Sequence, residues 1–271
     1  MQLWPDLHRR LTAILDQDDT HAGALDQMGG STVFYLRDWA AADSFIIRML
    51  QSSSEQNRLW LRAFYCRLHG WSNEARIYQE KSEHPEPANP LQWYLMVCSR
   101  WVERHYDEGI IINGRAMEKF PVGADNYLLF ARCSVAKGDF LEGIQAIQKA
   151  QEYEKKQELI ALRGYAYARM GQANEAYNVL GELREFGRAQ RYQEYYFVAR
   201  IYAALGDKEK TFENLEKAEA EKSEYLIMAD WGGLRTDPAW DDLQNEPRFK
   251  DLLKKVGLDQ WPRPKPKEWP P

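Results

Sequence analysis

Two stretches between Leu159 and Ala218 repeat one phrase. LIALRGYAYARMGQANEAYNVL and YYFVARIYAALGDKEKTFENLEKA each read as a helical pattern, a glycine and a second helical pattern. Their glycines, Gly171 and Gly206, lie 206 − 171 = 35 residues apart. Gly138 lies 171 − 138 = 33 residues earlier, and Gly70 lies 138 − 70 = 68 before that, two periods of 34. The marker between them falls at 104, where Arg104 stands, so this repeat is expected to turn without its glycine, through His105. A register of about 34 residues means that one supersecondary unit is stacked on copies of itself, because a unit of that size cannot bury its apolar face alone.

Side-chain size keeps the same register. Seven residues before the markers stand Ala63, Val97, Ala131, Gly164 and Ala199, and five after stand Ala75, Gly109, Gly143, Ala176 and Thr211. Small or β-branched side chains at these offsets suit two helices crossing at about 8–10 Å, the first set facing the second across a hairpin. Twelve after the markers come Ser82, Ala116, Ala150, Leu183 and Ala218; eleven before come Leu59, Trp93, Tyr127, Ile160 and Tyr195. Tyr167 and Tyr202 lie four before the last two markers. Any helical bundle alternates large and small residues at 3.6 spacing, but a bundle has no reason to hold a fixed register over five units. The pattern from about Asn57 to Ala218 resembles the tetratricopeptide repeat (TPR) family. That resemblance implies an all-α fold, a right-handed superhelical α-solenoid of antiparallel helix pairs, with about six TPR-like repeats plus caps.

The segments follow from this. Residues 1–20 read as an N-terminal capping helix, with Leu3, Leu7, Leu11, Ile14 and Leu15 at helical spacing behind Pro5. Residues 21–53 read as a degenerate repeat, Gly29 taking the close-packing place and Ala41 answering it, with Phe45, Ile46 and Leu50 after. Gly29-Gly30 lacks the preceding strand and the Lys-Ser/Thr of a phosphate loop. Five repeats occupy 54–222, joined by SSSEQN at 52–57, HPEPANP at 84–90 with Asn89 as cap, KFPVGAD at 119–125, EYEKKQ at 152–157 and FGRAQRYQ at 186–193. Residues 223–258 resemble the cap that closes TPR arrays, with short helices started by Pro238 and Pro247 and a stop at Gly257. Its expected inner face is Trp231, Leu234, Trp240, Leu243, Phe249, Leu252 and Leu253. The Pro-rich tail 259–271 is extended polyproline II, either a disordered end or a strap anchored by Trp261 and Trp269 on the array or on a neighbour.

With 271 residues, 44% hydrophobic and 28% charged, the chain fits one continuous unit of this kind. A net charge of −5 and a pI near 5.7 argue against a general nucleic-acid or anionic-membrane binder. There is no secretory apolar run near the N-terminus and no stretch near the roughly 20 apolar residues of a membrane span, so the expected compartment is cytoplasmic. Cys66, Cys98 and Cys133 fall one per repeat in the first helix and read as packing residues.

Chemistry is not legible. The five histidines are scattered, and no metal pair, nucleophile elbow or phosphate loop is present in the sequence; no cofactor and no metal are expected. The resemblance implies binding instead, on the concave face lined by the first helices. Positions ten, six and three before each marker should point there, and nine carry the chemistry: Trp60, Phe64, Arg67, Tyr94, Trp101, Arg132, Tyr165, Tyr196 and Arg200. Aromatic and arginine side chains dominate protein-binding hot spots. TPR chaperone adaptors hold a peptide carboxylate with lysines and asparagines, and those residue types are missing from the corresponding places. The expected function is therefore a non-catalytic protein–protein interaction scaffold. Its partner is a protein or peptide, acidic or carrying proline and aromatic side chains, and a homodimer through the tail or end caps fits the same features. Two alternatives stay open. One is a regulatory or sensory module binding a small ligand or its own Pro-rich tail; the other is a helical-repeat enzyme, which would need a buried carboxylate of raised pKa.

Overall fold

The structure, a computed structural model, describes residues 3–52, 55–82, 89–228 and 232–269. It is all-helical, with no strand among the described residues. After α1 (Leu3–Gln17) come six helical hairpins among the described residues. They are α2–α3 (Ala22–Ser31 and Trp39–Ser52), α4–α5 (Glu55–His69 and Ser72–Ser82) and α6–α7 (Pro90–Val102 and Tyr106–Lys119). Then follow α8–α9 (Ala124–Lys137 and Phe140–Tyr153), α10–α11 (Gln157–Arg169 and Ala173–Gln190) and α12–α13 (Tyr195–Ala204 and Lys208–Ala220). Short turns make the helices of each pair antiparallel, and the first helices stack in order, α6 on α8, α8 on α10, α10 on α12. No helix among the described residues is long and apolar enough to cross a membrane.

Every marker lies in the left-handed region, where glycine carries no Cβ penalty: Gly70, Gly138, Gly171 and Gly206 have φ between 75° and 103°. Arg104 adopts it too, at φ 64°. The expected turn through His105 is thus corrected, since His105 follows at φ −88° as the residue before α7. Arg104 is compensated at its side chain, which donates to the Tyr106 hydroxyl (3.2 Å) and to Asp241 (3.0 Å).

The small residues do face one another across the hairpins. A Cβ built on Gly143 would stand 3.5 Å from the Ala131 carbonyl and one on Gly109 3.7 Å from Val97 Cγ1, while Gly164 is hemmed by Val179 Cγ1 of its own hairpin (2.9 Å) and by Ile201 Cδ1 of the next repeat (2.7 Å). In the degenerate repeat the register slips by one residue. A π-helical turn, Thr32–Leu36, takes in an extra residue, so the left-handed position moves from 36 to Arg37 (φ 59°). The partner of Gly29 moves with it: Ala42, not Ala41, is fully buried, with its carbonyl 3.5 Å from the place of a Gly29 Cβ.

The expected linker at 186–193 is mostly helix, since α11 continues to Gln190 and stops at Arg191 in the left-handed region. Arg184, Glu185, Arg188, Ala189 and Gln190 are adequate helix formers, and the bare Gly187 makes room for Gln193, whose side-chain oxygen lies 2.5 Å from the place of a Cβ. The expected loops at 52–57 and 84–90 fall partly outside the described residues; α4 has begun by Glu55, and Asn89 caps α6 by accepting from Gln92 N at 3.1 Å.

After α13 the chain leaves the hairpin pattern for 3₁₀ turns at Glu224–Leu226 and Pro238–Leu243, then α14 (Pro247–Lys255). Leu234, Trp240, Leu243, Phe249, Leu252 and Leu253 are all buried; Trp231 lies outside the described residues. This segment reaches back to the start of the array. Trp39 Nε1 donates to the Val256 carbonyl (3.0 Å) and Arg37 to the Ser223 carbonyl (3.1 Å). Leu25 and Trp39, Tyr196 and Ile201, Trp240 and Trp269 accordingly belong to one continuous core.

Candidate functional site

The nine expected groove residues are mostly covered. Tyr196 is 1% exposed, Trp101 and Arg132 3% each and Arg200 6%. The cover is the chain's own segment from Gly232 to Trp240, lying against α12 and α6. Gly232, at φ 93°, is moulded to that face: a Cβ there would stand 2.8 Å from Trp101 Cη2 and 2.9 Å from Asp237 Oδ2. The sequence register says which side of each first helix faces inward, but not what occupies the inside.

Asp237 organises the contact. Its Oδ2 lies 2.9 Å from Arg200 Nε in an ion pair whose partners are 1% and 7% exposed. The Tyr196 hydroxyl donates to the same oxygen at 2.9 Å, lies against the Gly232 carbonyl and accepts from Trp240 Nε1 at 2.9 Å. Asp237 Oδ1 accepts from Ala239 N at 2.9 Å, capping the 3₁₀ turn that carries Trp240. Burial, with the Asp237 charge added to it, pushes the Tyr196 phenol well above its ordinary value. Burial opposes the Arg200 charge, yet Asp237, Tyr196 and Tyr165 outweigh it and hold the guanidinium above its ordinary value.

The neighbouring residues extend this polar interior. Arg200 lies 5.1 Å from the centre of the Tyr165 ring and Arg132 4.4 Å from that of Trp101, while Trp101 Nε1 donates to the Arg132 carbonyl (3.2 Å). Burial raises the Glu158 carboxyl above the usual range, with Arg132 and Arg200 pulling it back. The structure therefore brings together Trp101, Arg132, Tyr165, Tyr196 and Arg200. Arg67 stands apart, bonded to Gln79 inside its own hairpin (3.3 Å). Trp60 and Phe64 instead line a separate cavity of about 350 Å³ with Leu91, Leu95 and Asp26. Tyr94 faces another, of about 520 Å³, towards Pro121 and Tyr153.

Sequence reading missed Asp237, Gly232, Glu158 and Asp26. The Gly232-Gly233 pair and the Asp237-Pro238 step were visible as turn signals, but only the folded chain shows that they land on α12. Asp26 accepts from the Tyr65 hydroxyl at 2.7 Å, and burial raises its carboxyl above the ordinary value. Glu158, buried, and Asp26, half-buried, are thus two carboxylates of raised pKa. One faces arginines and the other a tyrosine.

The tail is a strap. Trp261 packs on Gly70, where a Cβ would stand 2.7 Å from its indole ring. Arg263 N donates to the His69 carbonyl (2.9 Å), and Trp71 Nε1 donates to the Arg263 carbonyl (2.7 Å). Arg263 lies 4.3 Å from the centre of the Trp39 ring, and Trp269 meets Trp71 edge to face at 4.9 Å. Lys265 reaches Glu74 at 3.6 Å. Its landing place is the α4–α5 turn, away from Tyr196 and Arg200.

Among the described residues no group of His, Cys, Asp and Glu is placed to hold a metal ion. No family model and no curated protein matches the chain.

Proposed function

We propose that the chain is a TPR-type interaction module: a right-handed superhelical solenoid that acts without catalysis, in the cytoplasm, by holding a turn-forming acidic and aromatic segment of a partner on its inner face. The family reading is supported by the recurrence of left-handed markers at 70, 104, 138, 171 and 206 with small residues at fixed offsets. The binding reading rests on one observation. Arg200, Tyr196 and Trp101 already receive a turn segment, 232–240, through a carboxylate, an indole and a glycine fitted to the face. A partner with the same chemistry competes with that segment.

The test is a titration of a labelled peptide of sequence GGLRTDPAWDDL, that of residues 232–243, onto the full chain and onto its Asp237→Asn variant. Loss of the internal carboxylate loosens the resident segment, so the variant should bind the peptide saturably and more tightly than wild type does. A folded Asp237→Asn variant that ignores the peptide refutes the reading. The strap on the α4–α5 turn favours a second, regulatory reading, in which deletion of 259–271 changes oligomeric state or peptide affinity; no change in either counts against it.

A further inference from the structure

We infer that the cleft between α11 and α13 is a docking site for an acidic peptide segment of a partner protein. The cleft encloses about 610 Å³ and shares no residue with the inner-face contact, so it goes beyond that reading and stands independently of it. It exists because α11, at 18 residues, runs past the usual end of its hairpin. The end of α11 carries Arg184 and Arg188 at i and i+4, on one helix face, and Arg191 follows in the left-handed turn that ends the helix.

Charge points to the occupant. Arg184, Arg188 and Arg191 line the cleft from one side and Lys210 and Lys217 from the other, against the carboxylates Glu213 and Glu221. The lining itself carries 5 − 2 = +3, and with Glu185 and Asp207, which pair with two of its cations, the excess is 5 − 4 = +1, in a chain whose net charge is −5. Three of the cations are engaged: Arg188 with Glu185 (2.6 Å), Lys210 with Asp207 (3.1 Å) and Lys217 with Glu213 (2.6 Å). The side chains of Arg184 and Arg191 are exposed and have no hydrogen bond or ion pair among the described residues. Two unneutralised guanidiniums at the edge of one cleft favour planar carboxylates, which they bind bidentately.

The floor is apolar and aromatic. Leu180 and Val198 lie in it with Tyr195 and Tyr202, and Lys217 and Lys210 sit 5.6 and 5.2 Å from the centres of those two rings. An apolar side chain seated between flanking acids satisfies both parts. A nucleic-acid backbone fits less well, since Glu213 and Glu221 stand in the path of a continuous row of phosphates.

The experiment is fluorescence anisotropy of the full chain with a labelled peptide Glu-Glu-Leu-Tyr-Glu-Glu, its Gln-Gln-Leu-Tyr-Gln-Gln counterpart and an oligothymidylate. Saturable binding of the acidic peptide is expected, with affinity falling as salt rises. The glutamine peptide should bind at least about tenfold more weakly. Arg184→Glu combined with Arg191→Glu should weaken the acidic peptide by about tenfold or more, while Lys254→Glu with Lys255→Glu, a basic pair on α14, leaves it unchanged; both pairs are exposed, and a thermal melt checks that each variant is folded. Absence of saturable binding, equal loss in both variants, or oligothymidylate binding more tightly than the peptide through Arg184 and Arg191 would each overturn the assignment.

Discussion

Replacing Asp237 by alanine should be among the most damaging single changes in this protein. The carboxylate holds three contacts at 2.9 Å, to Arg200 Nε, the Tyr196 hydroxyl and Ala239 N. Losing the cap alone costs about 1 kcal/mol. Losing a charged hydrogen bond to the phenol costs about 1.5–3 kcal/mol, and stranding a buried guanidinium about 3–5 kcal/mol. These losses overlap, because the same unpaired charge is counted in more than one of them. A total of about 4–5 kcal/mol is the working figure, a large share of the roughly 5–15 kcal/mol that holds a folded domain. At about 2–4 °C per kcal/mol for a chain of this size, the melting temperature should fall by about 8–20 °C. Chemical denaturation followed by circular dichroism gives the free energy, and a cycle with Arg200→Ala isolates the pair. The coupling should reach about 2 kcal/mol or more, because the double variant no longer strands a charge. A loss below about 1.5 kcal/mol for Asp237→Ala, or a coupling near zero, would refute the reasoning. The carboxylate would then be hydrated in solution, and Gly232–Trp240 would be held by apolar contacts alone.

Three further outcomes are expected. Gly143→Val places a side chain where even a Cβ comes within 2.5 Å of Val135, so it should lower stability by about 1–3 kcal/mol or more in a denaturant titration. Asp26 has a folded pKa raised by burial, so the folded state binds its proton more tightly, and stability is lost as pH rises from the ordinary carboxylate value through the folded one. Asp26→Asn should therefore stabilise the protein at neutral pH and lose that advantage under acid, as pH-dependent melting curves would register. Cys66 and Cys133 are buried, and burial pushes each thiol up to about 12. They should resist Ellman's reagent in the native protein and react only on unfolding.

The hairpin array was legible because close helix contacts demand small residues at fixed offsets, and those offsets survive in Ala63, Ala131, Gly143 and Ala176. The left-handed turn at Arg104 was legible only in position. Spacing marked residue 104, but an arginine carries no signal that it will adopt the conformation of a glycine. The one-residue slip at Arg37 was hidden for a related reason: a π-turn leaves the composition of a helix unchanged and alters only its length. The inner face was half legible. Tyr196, Arg200, Trp101 and Arg132 were picked by register, whereas Asp237 comes from a part of the chain that obeys no repeat and so had no offset to be read from. Trp60 and Phe64 were placed with the others by register alone, yet α2 and α6 enclose them in a cavity of their own.

An open row of hairpins meets only its neighbours, so its stability accumulates unit by unit and either end is free to fray. The C-terminal strap changes that accounting. Trp39 holds the carbonyl of Val256 across 217 residues and Trp71 that of Arg263 across 192. Closing a loop of that length in a disordered chain costs about 5 kcal/mol, and it gives a mostly local fold a set of contacts of very high sequence separation. Folding should accordingly be slower than local helix pairing alone would allow, with the seam between the first hairpins and the strap forming last. Once that seam has closed, loss of either terminus exposes the core of the other, and the array unfolds as one body.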